Sequence, residues 1–160
     1  RTLYHAIRGD GPQRNEQPWA VPSPTEGSAL TLFTDRGFAG TPGYEGIIAT
    51  LRGIAEAMDL EGLVIDASGG AVMNACRVLA HPPACHFKLP KPQAGGGSSW
   101  DYAATACLFE AAGAVVTDIH GNSLELNRSG APFMSHRGVL FATDAALAER
   151  IRALYAAMRG

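Results

Sequence analysis

The stretch SSWDYAATACLFEAAGAVVTDIHGN, residues 98–122, reads as a capped helix, a strand and a turn in succession. Ser98 and Asp101 stand in the S-x-x-[DE] relation of a capping box. Trp100, Ala103, Ala104, Cys107, Leu108 and Ala111 follow at helical spacing, so a helix is expected over Trp100–Ala112 with those residues on its apolar face. Asp101 then lies in the first turn. A carboxylate there feels the positive end of the helix dipole and stays ionised at neutral pH. That suits it to a hard, oxygen-seeking cation such as Mg²⁺, and equally to the plainer task of complementing the dipole. Gly113 ends the helix, a strand is expected over Ala114–Thr117, and His120-Gly121-Asn122 makes a turn.

Outward from this stretch, strands and helices alternate. ALTLFT (Ala29–Thr34) reads as a strand, and Gly43–Met58 as a helix with Ile47, Ile48, Leu51, Ile54, Ala55 and Met58 on its apolar side. Gly62–Asp66 is a second strand. Ser68 and two glycines open a helix to about Ala80, Pro82-Pro83 stop it, and Ala84–Leu89 is a strand. A strand at Gly138–Ala142 and a helix at Asp144–Met158, with Asp144 as N-cap, complete the chain. This alternation predicts an α/β fold, a three-layer αβα sandwich over residues 28–160. Residues 1–27 are rich in Gly, Pro and polar side chains, with one short strand candidate at Leu3–Ile7, and cannot form a core alone.

Composition narrows the class. With 160 residues, 46% apolar, 18% charged and a formal net charge of −2, the chain resembles an ordinary globular protein. No basic block suggests a nucleic acid polymer or an anionic membrane as partner. No apolar run approaches the ~20 residues of a membrane span, and no signal-peptide pattern is visible, so a cytoplasmic setting is expected. Cys76, Cys85 and Cys107 lack C-x-x-C spacing and read as small buried hydrophobes. No H-E-x-x-H or Cys-His cluster points to zinc.

Two further constellations could carry chemistry. Ser68-Gly69-Gly70-Ala71 sits at a strand-to-helix junction, where glycines let a backbone approach an anion and first-turn N–H groups can bind phosphate oxygens. A tight turn that simply needs small residues would look the same. Lys88 and Lys91, in FKLPKP, lie between that turn and Asp101; each is either a phosphate ligand or a solvated strand-end lysine. Arg8-Gly9-Asp10 is a three-residue coincidence in a Gly turn. The GGGSS run lacks the G-K-[ST] ending of a phosphate loop, and no G-x-S-x-G surrounds Ser98 or Ser99.

The Trp-Asp pair opening an Ala-rich helix, followed by Glu110-Ala-Ala-Gly113 and a strand ending Val116-Thr117-Asp118, resembles the second signature of the inositol monophosphatase superfamily. TDIHGN continues as in its bisphosphate nucleotidase branch, and YHAIRGDG (residues 4–11) is similar to the strand and Gly turn midway through the family's first domain. The resemblance implies that Asp101 is a ligand of the catalytic Mg²⁺ cluster. It further implies that Gly69, Gly70 and Ala71 contact substrate, and that Lys88 replaces a phosphate-binding Arg of the nucleotidases. Ala94 stands where inositol-specific members carry a Glu. The implied activity is Mg²⁺-dependent hydrolysis of a small phosphate ester, a 3′(2′),5′-bisphosphate nucleotide being expected, with inositol monophosphate or a sugar bisphosphate as the alternative. A homodimer is expected as well.

The family's Glu-Glu pair and D-P-x-D-G-[ST] loop do not occur here. Two-metal phosphoryl chemistry needs several carboxylates around ions about 3.5–4 Å apart. The chain is therefore expected to be the rear part of such a phosphatase, with residues 1–27 a remnant of the first, metal-binding domain. Alone it should be inactive, and a non-catalytic module that binds an anion or a partner is the competing reading.

Overall fold

A computed structural model describes all 160 residues. In chain order the strands are β1 (Tyr4–His5), β2 (Gln13–Arg14), β3 (Gln17–Pro18), β4 (Leu30–Phe33), β5 (Leu63–Asp66), β6 (Ala84–Lys88), β7 (Val115–Thr117) and β8 (Val139–Ala142). The helices are α1 (Tyr44–Ala57), α2 (Ala71–Ala80), α3 (Ser99–Ala112) and α4 (Ala145–Ala157). β4 to β8 form one sheet in the order β5-β4-β6-β8-β7. β4 runs parallel to β5 and β6, whereas β8 is antiparallel to both β6 and β7.

Side chains alternate across the sheet and sort the core into two halves. Leu30 and Leu32 of β4 and Cys85 and Phe87 of β6 face α1 and α4, where they meet Ile47, Leu51, Leu147 and Ile151. Phe33, Ala84, Val139 and Phe141 face α2 and α3, against Leu79, Tyr102 and Phe109. Two helices on each face make the expected αβα sandwich. α1 buries Ile47, Ile48, Leu51, Ile54 and Ala55, as its periodicity predicts. Asp144 caps α4 by accepting the Leu147 N–H at 2.9 Å. No helix is long and apolar enough to cross a membrane.

Three details depart from the sequence pattern. α3 is turned about its axis from the expected setting: it buries Tyr102, Thr105, Ala106, Leu108 and Phe109, while Trp100 is 68% exposed and Ala103 and Ala104 face solvent. The physical reason is size. Alanines ring the helix and choose no face, whereas Phe109 packs edge-on against Phe141 with ring centroids 4.9 Å apart and Tyr102 lies 5.8 Å from the same ring. Cys107 is accordingly half-buried, while Cys76 and Cys85 are buried and desolvation pushes their thiols up to about 11 and about 12.

The N-terminal segment is the third departure. Its strand shrinks to Tyr4–His5 and is joined by β2 and β3 in a small antiparallel sheet. The β2-β3 hairpin turns on Asn15-Glu16, both with positive φ (52° and 64°). Two-residue hairpin turns of this hand favour Asn-Gly, and Glu16 in place of the glycine hides the signal.

Candidate functional site

β5, β4 and β6 are parallel neighbours, so their C-terminal ends lie along one edge of the sheet. That edge brings together the turn after β5 (Asp66–Ala71), Asp35 just beyond β4, and Lys88 at the end of β6. With strands about 4.8 Å apart, the turn and Lys88 are separated by two strand spacings, roughly 10 Å. α3 runs back from the same edge and starts there with Asp101.

The turn is braced from within. Asp66 Oδ1 accepts the Ser68 N–H at 2.9 Å and the Ser68 hydroxyl, and Arg77 donates through Nη1 to Ser68 Oγ (2.7 Å) and Asp66 Oδ2 (3.3 Å). The Ser68 hydroxyl and N–H, followed by the charge of Arg77, hold the Asp66 carboxyl below its usual range. Asn74, fully buried, donates through Nδ2 to the Gly69 carbonyl at 3.2 Å. Its Oδ1 has no hydrogen-bond partner and lies where a Cβ on Gly69 would project. A side chain at position 69 would have to push the Asn74 amide aside.

Gly70 is the N-cap of α2. The backbone N–H groups of Gly69, Gly70, Ala71, Val72 and Met73 donate to no protein acceptor; the first backbone bond of the helix is Asn74 N–H to the Gly70 carbonyl, 2.9 Å. A run of free donors on a helix N-terminus is the arrangement that receives an anion.

Asp101 occupies the expected first turn of α3. Its Oδ2 accepts the Ser98 N–H at 2.7 Å and closes the capping box, which leaves Oδ1 without a protein donor. Tyr102, next to it, donates its hydroxyl to the Gly96 carbonyl at 2.7 Å. Burial raises the Tyr102 pKa well above the usual phenol range, and the charges of Asp101 and Asp35 raise it further.

Lys88 is not a free cation. Its Nζ lies 2.7 Å from Asp35 Oδ2, with the lysine side chain 22% and the aspartate 41% exposed. Asp35 Oδ1 accepts the Gly37 N–H at 3.0 Å and caps the short 3-10 helix Arg36–Gly40. Burial works to raise the Asp35 pKa, but the Lys88 hydrogen bond and charge outweigh it and hold the carboxyl below its ordinary value. Beneath the pair, fully buried His86 shares a 2.9 Å hydrogen bond with the Phe33 carbonyl through Nδ1, and its Nε2 has no partner. Desolvation pushes its pKa down to about 4. Lys91 is exposed.

Mg²⁺ wants near-octahedral oxygen ligands. Asp101 offers one free oxygen, and nowhere in the chain do three or more His, Cys, Asp or Glu side chains converge to hold a metal ion. The residues of this chain alone do not make a Mg²⁺ site.

Asp35, Asn74 and Arg77 escape a reading of the sequence. An acid directly after a parallel strand, as in TDRG (residues 34–37), is a signal that could have marked Asp35. Nothing local marks Asn74 or Arg77, whose roles depend on α2 folding back over the turn.

The profile of the inositol monophosphatase family matches residues 1–158. Among solved structures the chain is similar to an inositol monophosphatase from Anabaena (Nostoc) sp. PCC 7120 at 21% identity, with a TM-score of 0.64 over 97% of this chain and 54% of the other. Staphylococcal IMPase-II matches at 16% identity and a TM-score of 0.65, over 95% and 51%. An IMPase/NADP phosphatase complexed with NADP and Ca²⁺ matches at 19% and 0.61, over 96% and 50%. The chain thus spans about half the length of the solved structures it matches. No curated protein matches it by sequence.

Proposed function

We propose a phosphate-ester site for this chain, which belongs to the inositol monophosphatase family. The single observation that carries the reading is the run of unpartnered N–H groups from Gly69 to Met73 at the start of α2. Gly69, Gly70 and Ala71 hold a phosphate through these donors, with the helix dipole favouring its negative charge. Asp101 contributes one carboxylate oxygen to a Mg²⁺ that takes its other ligands from outside this chain. In two-metal phosphatases one such ion would activate water and the other would stabilise the leaving oxygen. The residues described here hold the ester, and the isolated chain binds without turning substrate over.

The substrate is a small phosphomonoester. A bisphosphate nucleotide would need Lys88 free to take a second phosphate, and Lys88 is engaged by Asp35. The ion pair favours a monophosphate whose remaining groups are hydroxyls. A purely anion-binding module is the second reading, favoured by the missing metal ligand cluster. A homodimer is expected, and the exposed apolar side chains of Val64 and Ile65 on edge strand β5 are available to it.

Calorimetric titration of the 160-residue chain with inorganic phosphate tests the turn: heat of binding that disappears in Gly70→Pro supports it, and equal binding by both refutes it. In the intact protein, Asp101→Asn should remove nearly all Mg²⁺-dependent phosphate release while leaving phosphate-ester binding in place. Near-normal turnover would end the metal-ligand assignment.

A further inference from the structure

We propose that Asp35 is a specificity-determining residue: by pairing with Lys88 it neutralises the subsite at the end of β6 and excludes esters that carry a second phosphate. This rests on the phosphate-ester reading of the α2 turn. Lys88 is the cation nearest that subsite on β6, and one of its three donors is committed to Asp35 Oδ2 at 2.7 Å. The other Asp35 oxygen is held by the Gly37 N–H at 3.0 Å, so the carboxylate cannot swing away without uncapping the 3-10 helix. The two side chains together present ammonium donors beside carboxylate lone pairs. A hydroxyl, which both donates and accepts, satisfies such a pair. A phosphate dianion instead meets the carboxylate as a like charge, and it gains the lysine only by displacing an aspartate already paired there. Rejection through a repulsive element is how specificity between close analogues is commonly achieved.

The position of Asp35 suits this role. It lies beyond β4, the strand between the turn and Lys88, so any ester long enough to reach from one to the other passes over it.

Calorimetric titration of the full 160-residue chain tests the proposal, with inorganic phosphate, inositol 1-phosphate and adenosine 3′,5′-bisphosphate as probes. Asp35→Asn keeps an oxygen for the Gly37 N–H and removes the charge. The ratio of bisphosphate to monophosphate affinity should rise about tenfold or more, the scale expected when a like charge a few ångströms away is removed. Asp35→Ser, checked for native circular dichroism, should do the same, and adding Lys88→Gln to Asp35→Asn should bring the ratio back down. If all three probes bind and neither Asp35 variant moves the ratio, Asp35 has no such role. If inorganic phosphate fails to bind the unaltered chain, the turn reading fails first and takes this proposal with it.

Discussion

Gly69→Ala probes the packing that shapes the phosphate turn. A Cβ at position 69 projects onto Asn74 Oδ1, in a side chain with no exposure and therefore little freedom to retreat. The φ of Gly69 is not in the left-handed region, so alanine meets no backbone penalty there. The cost is steric and polar. Forcing a well-packed interior group aside costs about 1–3 kcal/mol, and losing the 3.2 Å bond from Asn74 Nδ2 to the Gly69 carbonyl adds about 0.5–1.5 kcal/mol. Restricting the unfolded chain returns about 0.4–1 kcal/mol. The net expectation is a loss of about 1–3 kcal/mol, read from urea unfolding of the 160-residue chain at pH 7. Asn74→Ala removes the obstruction, so the double variant should be more stable than the sum of the two single changes by about 1–2 kcal/mol, as is usual for residues in direct contact. Phosphate affinity should follow the same pattern, falling in Gly69→Ala and partly returning in the double variant. Strict additivity in both assays would refute the contact and with it the braced turn.

Other consequences can be measured on the same chain. His86 is held neutral with a pKa near 4 against 6.5 unfolded, so between those values the unfolded state binds a proton that the native state refuses. Stability should drop by about 3 kcal/mol as pH falls from roughly 6.5 to 4. His86→Gln should flatten that limb, and an unchanged urea midpoint profile would contradict it. Below about pH 4 the carboxylates take over: Asp118 and Asp35 are depressed, so the stability they give is present above the unfolded carboxylate pKa and is lost as pH falls through their folded values. Asp118→Ala should cost about 2–4 kcal/mol at pH 7, because the buried carboxylate accepts the N–H groups of His120 and Asn122 and pairs with Arg137. A thermal midpoint equal to that of the unaltered chain would show that the turn closes without it. Asp101→Ala, measured the same way, should cost about 1 kcal/mol through loss of the capping box, and no change would mean that the cap is not formed in solution.

The elements that sequence reasoning locates well are those whose pattern is set locally. α1 shows its buried face because large aliphatic residues recur on one side and polar ones on the other, and Asp144 marks the start of α4 with an oxygen that has an N–H to meet three residues on. α3 shows its ends, through Ser98, Asp101 and Gly113, but not its face. Its alanines are apolar wherever they point, and the rotation is decided by Phe141, a residue on β8. The site divides along the same line. The Gly69–Ala71 turn and the position of Asp101 are visible as local signals, whereas the Asp35–Lys88 pair joins residues far apart in sequence that meet because β4 and β6 pair in parallel. The sequence shows Lys88 as a strand-end cation, and only the fold shows that Asp35 stands beside it.

The charge balance of the strand-end edge supplies the remaining constraint. Asp66 is matched by Arg77 and Asp35 by Lys88, while the free oxygen of Asp101 has no cation beside it among the ion pairs of the fold. A carboxylate in that situation, at the positive end of a helix, attracts a cation. The turn at α2 offers the opposite, free N–H donors with no anion. One edge therefore carries an unmet negative charge and an unmet set of donors, with a neutralised ion pair between them. Under the proposed reading a phosphate would satisfy the donors of the turn and a cation would satisfy the free oxygen of Asp101. Neither alone satisfies both. In a protein that supplies the remaining metal ligands, phosphate binding should strengthen when Mg²⁺ is present, and the gain should vanish in Asp101→Asn while the Mg²⁺-free affinity stays the same. Equal gains in both proteins would separate Asp101 from the ion and leave the turn as an anion site only.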